Sequence, residues 1–238
     1  MAVSGQADGS IKVGRMTLGP VATNCYYIFR ESGREDSQER TAKTPVLFID
    51  PPDAGERIWD ALSERGFFID GILLTHAHFD HIGGVAGIER RAETMVPAGH
   101  VPVACLSGER PLCESAELNC SLSMDGHGVT VSIDKWLEDG DVIEAADVKL
   151  TVIATPGHTV GGCCYYCEEA SVLFAGDTLF EGSVGRTDLP TGSMGTLVRS
   201  VRERLYVLPD DVLVLPGHGG ETTIGDEKQY NPYVQGRE

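Results

Sequence analysis

The spacing of apolar residues divides the chain into two successive β-rich parts. In the first part, apolar runs bounded by glycine and proline predict five strands. These predicted strands cover residues 11–18, 24–29, 45–50, 69–74 and 101–104. Helical spacing, with Ile58 and Leu62 four residues apart, predicts a helix over residues 53–65, and a second helix is predicted over residues 82–91.

The second part is richer in strands, which short turns separate. Its predicted strands cover residues 142–144, 148–154, 162–166, 172–175 and 212–215. A helix is predicted over residues 194–205, because Leu197, Val201 and Leu205 fall on one face and Ser193 is a candidate N-cap. The alternation of strands and helices indicates an α/β fold.

Length and composition favour one domain. The chain has 238 residues, 41% of them apolar, which is enough for a sizeable core, so we expect a single domain over residues 1–238. Two stretches depart from the periodic pattern. They are a charged loop at about residues 30–44 and an irregular insert at about residues 106–134, for which we expect a long surface loop.

Candidate metal ligands are concentrated directly after the strand predicted at residues 69–74. His76, His78, Asp80 and His81 fall within six positions. Imidazoles and carboxylates lose favourable hydration on burial unless a cation or hydrogen bonds compensate. In an extended turn His76 and His78 point the same way and can bind one ion, whereas Asp80 and His81 come at the following bend. The sequence therefore predicts a metal site at this strand end.

Three more candidate ligands follow apolar strands later in the chain, each beside glycine or proline. They are His158, Asp177 and His218. Together the candidates comprise five imidazoles and two carboxylates, which exceed what one tetrahedral or octahedral ion binds. We therefore expect two divalent metal ions. Zinc is the first choice for an imidazole-rich site, and iron or manganese accept the same ligands.

These segments resemble the metallo-β-lactamase superfamily, a large group of mostly dinuclear metal hydrolases. The run Thr-His-Ala-His-Phe-Asp-His is similar to the family's His-x-His-x-Asp-His signature, and three downstream motifs follow in the family's order. They read Thr-Pro-Gly-His-Thr, Phe-Ala-Gly-Asp-Thr and Leu-Pro-Gly-His-Gly. The resemblance implies a four-layer αβ/βα sandwich. It also implies a first metal on His76, His78 and His158, a second on Asp80, His81 and His218, and Asp177 bridging both.

Within that family the chain looks most like the short, glyoxalase II-like branch of hydroxyacylglutathione hydrolases and their relatives. The shared runs include Asn24-Cys25-Tyr26, residues 182–188 and Asn231-Pro232. The resemblance implies a thioesterase that cleaves S-lactoylglutathione-type thioesters with a metal-bridged hydroxide, which Asp80 orients as a catalytic residue. Arg186 is a candidate for binding an anionic group of the substrate, and its alternative role is an ion pair with Asp188 or a carbonyl-anchoring contact in the loop of residues 185–192.

Other functions stay open at this point. By resemblance, a persulfide dioxygenase would use one iron, held by the equivalents of His76, His158 and Asp177. A hydrolase of another acyl or lactone substrate would keep both metals. A β-lactamase is less favoured because such enzymes are usually exported, and residues 1–13 lack a signal-peptide core. The interpretation as a non-enzymatic metal-binding protein gives no reason for all seven ligand positions to carry a metal-binding residue. Full-length glyoxalase II enzymes add a C-terminal helical domain that grips glutathione, whereas this chain ends twenty residues after His218.

Net charge limits the classes of partner, and cysteine content indicates the redox state of the thiols. With 36 acidic and 19 basic residues, the net charge of −17 repels phosphate backbones and anionic lipids. We therefore expect a small-molecule thioester substrate, no nucleic acid and no membrane partner, in a cytoplasmic protein whose oligomeric state the sequence leaves open. Seven cysteines, an odd number, predict reduced thiols, and the C-x-x-C spacing of Cys164 and Cys167 is only a weak metal or redox signal.

Overall fold

The computed structural model describes residues 9–31, 43–97, 99–124 and 126–234. Within these ranges two six-stranded sheets form the framework. The strands of the first sheet lie side by side in sequence order, antiparallel from β1 to β3 and parallel from β3 to β6. They are β1 (Ile11–Leu18), β2 (Thr23–Arg30), β3 (Thr44–Ile49), β4 (Phe67–Leu74), β5 (Val103–Leu106) and β6 (Lys135–Leu137).

The second sheet is built from the later strands, in the order β14-β13-β10-β9-β8-β7, and β11 pairs with β12 in a separate hairpin. These strands are β7 (Val142–Ala145), β8 (Val148–Ala154), β9 (Cys163–Cys167), β10 (Val172–Gly176), β11 (Leu179–Phe180), β12 (Ser183–Val184), β13 (Leu213–Pro216) and β14 (Thr222–Thr223). Since β9 is antiparallel to both β8 and β10, and β10 is parallel to β13, the strands β8, β10 and β13 run in one direction.

Helices cover the outer faces of the two sheets. They are α1 (Gly55–Glu64), α2 (Phe79–Ile82), α3 (Val85–Met95), α4 (Arg110–Cys113), α5 (Ser121–Met124), α6 (Met194–Ser200) and α7 (Ile224–Tyr230). A 3-10 turn, Ser107–Glu109, precedes α4, and a π-helical turn, Val201–Leu205, extends α6. Within the described ranges, no helix combines the length and the apolar content that a membrane crossing requires.

Alternation along the strands separates three layers of core. In β3, Val46 and Phe48 pack with helices α1 and α3 on one face, whereas Leu47 and Ile49 pack against the second sheet on the other. In the second sheet, Tyr165 faces the first sheet, while Cys164 packs toward α6 and α7. The order is therefore helices, sheet, sheet, helices, which confirms the predicted α/β four-layer αβ/βα sandwich.

Most predicted elements are present, and the differences have local causes. The helix predicted over residues 82–91 corresponds to α3, which begins only at Val85, because Gly83 and Gly84 lie in the turn between α2 and α3. Strands β11, β12 and β14 have two residues each, too few to show a period. Of the charged loop predicted at residues 30–44, residues 32–42 lie outside the described part of the chain.

The prediction of a long surface loop at residues 106–134 is wrong. The segment begins in β5, continues through the 3-10 turn, α4 and α5, and buries Glu109, Leu112, Cys113 and Asn119 completely. The short helices α4 and α5 have four residues each, so neither completes the apolar repeat by which a helix is recognised.

The cysteines behave as small apolar residues. All seven are buried and free of disulfides. The C-x-x-C pair is split between layers, since Cys164 packs on the helix side of the second sheet and Cys167 packs between the sheets. The two thiols therefore do not form a metal knuckle, and the reading of ordinary buried thiols is confirmed.

One hydrogen bond joins the two sheets beside the first ligand segment, and it can be tested. The hydroxyl of buried Tyr165 donates to the carbonyl of Leu74 at 2.7 Å. The Tyr165→Phe variant should lower the free energy of unfolding by about 1 kcal/mol, because it removes one buried hydrogen bond without changing the packing. Denaturant unfolding measures this. Tyr166→Phe, on the opposite face of β9, is the control and should have a smaller effect; equal losses would contradict the assignment.

Candidate metal centre

Four strand ends meet at one edge of the sandwich. β4 ends at Leu74 and is followed by the segment 75–81, and strands β8, β10 and β13 end just before His158, Asp177 and His218. These last three strands run in the same direction, so their carboxyl ends lie on the same side of the second sheet. Ligands that are distant in the sequence therefore converge here.

Three histidines form the first group. Nε2 of His158 lies 2.9 Å from Nδ1 of His78 and 3.2 Å from Nε2 of His76, and all three side chains are buried. The other nitrogen of His158, Nδ1, donates to the carbonyl oxygen of Arg186 at 2.7 Å. Because that bond holds the proton on Nδ1, the neutral ring keeps a lone pair on Nε2 and directs it at the group.

A second group consists of Asp80, His81 and His218. Oδ2 of Asp80 lies 3.2 Å from Nε2 of His218 and 3.6 Å from Nε2 of His81. Nδ1 of His81 lies 3.0 Å from Oδ2 of Asp50. The Asp50 carboxylate accepts the Nδ1 proton, so it fixes the tautomer that leaves Nε2 of His81 as a donor to a metal.

Asp177 lies between the two groups. Its Oδ2 is 3.6 Å from Nε2 of His158 in the first group and 3.5 Å from Nε2 of His218 in the second, while Oδ1 is 3.5 Å from Nε2 of His81. One carboxylate therefore faces nitrogens of both groups, which is the position that a bridging ligand needs.

The donor atoms of these residues fit divalent metals. In each of three sets the ligand atoms lie within 4.8 Å of one another. Two of the sets are the groups described above, and the third, His76, His81 and Asp177, takes one histidine from each of them. Among the described residues, three buried atoms of this cluster have no hydrogen-bond partner: Nε2 of His78, Nε2 of His81 and Oδ1 of Asp177. Unpaired buried polar atoms are costly unless a cation binds them. Imidazole with carboxylate is a donor set that suits zinc, iron and manganese.

The electrostatics of the cluster also favour a cation. Burial lowers the pKa of His76 well below its usual value and that of His78 to about 3, so both rings are neutral ligands at neutral pH. Burial raises the pKa of Asp177, but the neighbouring His81 outweighs it and keeps the carboxyl ionised. Burial lowers the pKa of His81, and the carboxylates of Asp80 and Asp50 more than reverse this, because they attract positive charge.

Residues outside the ligand set hold it in place, and the sequence gives few signals for them. Asp50 accepts the backbone N–H and the hydroxyl of Thr75 as well as His81, and it lies at a strand end beside the ligand strand, which is the one available signal. Thr23 donates its hydroxyl to Oδ2 of Asp80 at 2.8 Å. The amide of Asn24 donates to the carbonyls of Pro216 and Gly219, on both sides of His218.

The structure thus brings together all seven predicted ligands: His76, His78, Asp80, His81, His158, Asp177 and His218. Arg186 differs from them. Its carbonyl holds His158, but its guanidinium is exposed and makes two bonds to the carboxylate of Asp188, at 2.7 and 2.8 Å. The side chain therefore has the ion-pair role given above as the alternative, and substrate binding by Arg186 stays a prediction.

Comparisons with known proteins agree with this geometry. Residues 49–218 match the Metallo-beta-lactamase superfamily. Over 93% of this chain and 97% of the relative, the sequence is 35% identical to the probable metallo-hydrolase YqgX of Bacillus subtilis. It is 32% identical to the hydroxyacylglutathione hydrolase GloC of Haemophilus influenzae, over 81% of this chain and 88% of that protein.

Solved structures give the same result. The structure is similar to that of the BLEG-1 B3 metallo-beta-lactamase, with a TM-score of 0.81, 33% identity and coverage of 94% of this chain and 100% of that one. It is also similar to TTHA1623 in a di-iron-bound form, with a TM-score of 0.74, 33% identity and coverage of 92% and 99%. Fold, ligand cluster and relatives thus agree, and the chain belongs to the metallo-β-lactamase superfamily as a metal-dependent hydrolase.

Proposed function

We propose that this hydrolase is a glyoxalase II-like thioesterase that cleaves S-lactoylglutathione-type thioesters. The observation that carries the proposal is the complete second group, Asp80, His81 and His218, joined to the first by Asp177. A full set of seven ligands supports a dinuclear hydrolytic site. The similarity to GloC of Haemophilus influenzae supports the thioester class.

The chain's own residues have defined tasks in this reaction. His76, His78 and His158 would hold one metal ion, and Asp80, His81 and His218 the other, with Asp177 shared. Bound there, divalent metals supply a Lewis acid for the thioester carbonyl and lower the pKa of water toward neutrality. Burial raises the pKa of Asp80, but His81, with hydrogen bonds from His218 and Thr23, lowers it overall. Its ionised carboxylate can therefore accept a hydrogen bond from the attacking water and orient it.

A thioester also suits the leaving-group side of the site. A thiol has a pKa near 8.5, so it departs as a thiolate and needs little protonation. An amide or an alkoxide leaving group would need a general acid. The titratable side chains of the two groups are candidate ligands, and the buried carboxylates beside them, Asp50 and Glu109, accept hydrogen bonds from the ligand turns, which leaves the thioester as the better match.

The first experiment is an assay of S-D-lactoylglutathione hydrolysis with metal content determined on the same sample. We expect turnover with about two metal ions per chain. One iron per chain, with oxygen consumption on glutathione persulfide, would favour the dioxygenase instead. Hydrolysis of nitrocefin in place of the thioester would indicate a β-lactamase, the activity named for the similar BLEG-1.

Asp177→Asn tests the shared carboxylate. The amide keeps the volume but loses the charge that faces both groups, so metal content should fall to one ion or fewer per chain. The value of kcat/KM should drop by more than about 100-fold, since even indirect supports of a metal ligand contribute 10–100-fold. Metal analysis and the thioester assay measure the two effects. Cys164→Ala is a buried control, because the hydrogen bonds of this thiol, to Thr155 and to the carbonyl of Ala175, are not to ligands, and it should change neither quantity. Full turnover by Asp177→Asn would contradict the assignment.

Asp50→Asn tests the tautomer of His81. An amide group at the Oδ2 position would present N–H to Nδ1 of His81 and favour the wrong tautomer, so metal affinity should fall about 10–100-fold. Competition with a chromophoric chelator measures the affinity. Asp53→Asn, an exposed carboxylate three positions later, is the matched control and should bind metal as the unmodified protein does. Unchanged affinity in Asp50→Asn would show that the hydrogen bond does not control His81.

A further inference from the structure

Glu109 is a buried carboxylate that lies beside the metal centre and belongs to neither ligand group. It ends the 3-10 turn Ser107–Glu109, directly after β5, and its exposed fraction is 0%. A glutamate is rarely buried to this extent unless its oxygens are satisfied. Its contacts therefore indicate what it does.

Each oxygen of Glu109 accepts a hydrogen bond from a different ligand-bearing turn. Oε1 accepts the backbone N–H of Ala77 at 3.0 Å, and Ala77 lies between His76 and His78. Oε2 accepts the hydroxyl of Thr159 at 2.9 Å and the backbone N–H of Gly161 at 2.8 Å, in the turn that begins with His158. One side chain thus connects the two turns that carry the whole first group.

The backbone of the turn that begins with His158 is fitted closely to the segment that carries Glu109. A Cβ atom added to Gly161 would collide with the backbone of Gly108 and Glu109, so the two segments approach as only glycine allows. The turn that begins with His158 therefore lies directly against the backbone that carries Glu109.

We propose that Glu109 is a positioning residue that holds the three imidazoles of the first metal at their mutual spacing. The inference rests on the metal centre of the proposed function, and not on the identity of the substrate. The first group has only imidazoles, apart from the shared Asp177. Burial raises the pKa of Glu109, while the three hydrogen bonds that its oxygens accept favour the ionised form, which would offset the charge of a divalent cation. Loss of Glu109 should therefore lower the metal affinity of the first group more than that of the second.

Glu227 is a matched control for this role. It is also buried, and it accepts hydrogen bonds from Thr222 at 2.7 Å, from the side chain of Asn231 at 2.7 Å and from the backbone N–H of Gly182 at 3.1 Å. These contacts join the β11–β12 hairpin to the C-terminal helix, and none of them is to a ligand or to the residue next to one. Glu109→Gln and Glu227→Gln thus make the same chemical change in two buried networks, of which one touches the ligand turns.

The experiment follows cobalt(II) binding to the metal-free protein through the visible absorption of the bound ion. It is made in the His218→Ala background, where the first group is the intact one. In Glu109→Gln one end of the amide must present N–H to a backbone N–H, so one turn loses its acceptor. Cobalt affinity should fall about 10–100-fold with an altered spectrum. Glu227→Gln in the same background should keep the affinity and the spectrum.

Two further measurements separate positioning from folding. Thr159→Val, which removes one donor and leaves the carboxylate, should give a smaller loss of affinity, and thermal unfolding of each metal-free variant shows whether it folds. Unaltered cobalt affinity and spectrum in a folded Glu109→Gln, or equal losses in Glu109→Gln and Glu227→Gln, would overturn the inference. Absence of thioester turnover by the unmodified protein would instead contradict the proposed function and leave the cobalt result standing.

Discussion

The site depends on one electrostatic condition, the compensation of buried carboxylates and imidazoles by positive charge. Asp177 lies with both oxygens 3.5 to 3.6 Å from imidazole nitrogens of the two groups, and its Oδ1 has no hydrogen-bond partner among the described residues. Burial of such atoms costs free energy, and contacts with the surrounding apolar layers do not compensate for it. Divalent cations satisfy this condition and hydrogen bonds alone do not, so the fold and the metal centre are energetically coupled.

The sandwich brings these ligands together at the ends of several strands, and no single helix or strand carries all of them. Each ligand follows a strand by one to seven residues, and a glycine directly before His158, Asp177 and His218 lets the backbone pass close to the cluster. At Gly217 an added Cβ would collide with Asp177 and His81. The ring nitrogens of His81 and His158 that face away from the cluster then donate to the carboxylate of Asp50 and to the carbonyl of Arg186. Ligand orientation is thus fixed before a metal binds.

The ligands could be predicted from the sequence because a local pattern marks each of them. His76 to His81 form one run, and the other three ligands each follow an apolar strand and a glycine. Glu109 and Thr23 could not be found in this way, since these partners are 32 and 57 residues distant and the contacts exist only in the folded chain. The same limit applies to residues 106–134. Their short helices are stabilised by burial of Leu112 and Cys113 rather than by their own periodicity.

Arg186 separates two contributions that one residue makes to the site. Its carbonyl accepts the proton of His158 and helps to fix a ligand, a task that the backbone of any residue in that conformation performs. Its guanidinium is exposed and paired with Asp188, and solvent screens such a pair, so the guanidinium remains accessible to other anions. Changes of the Arg186 side chain should therefore alter recognition of an anionic substrate without altering the metal. The ligand turns are thus held by buried contacts, whereas the exposed Arg186 side chain can be changed without disturbing them.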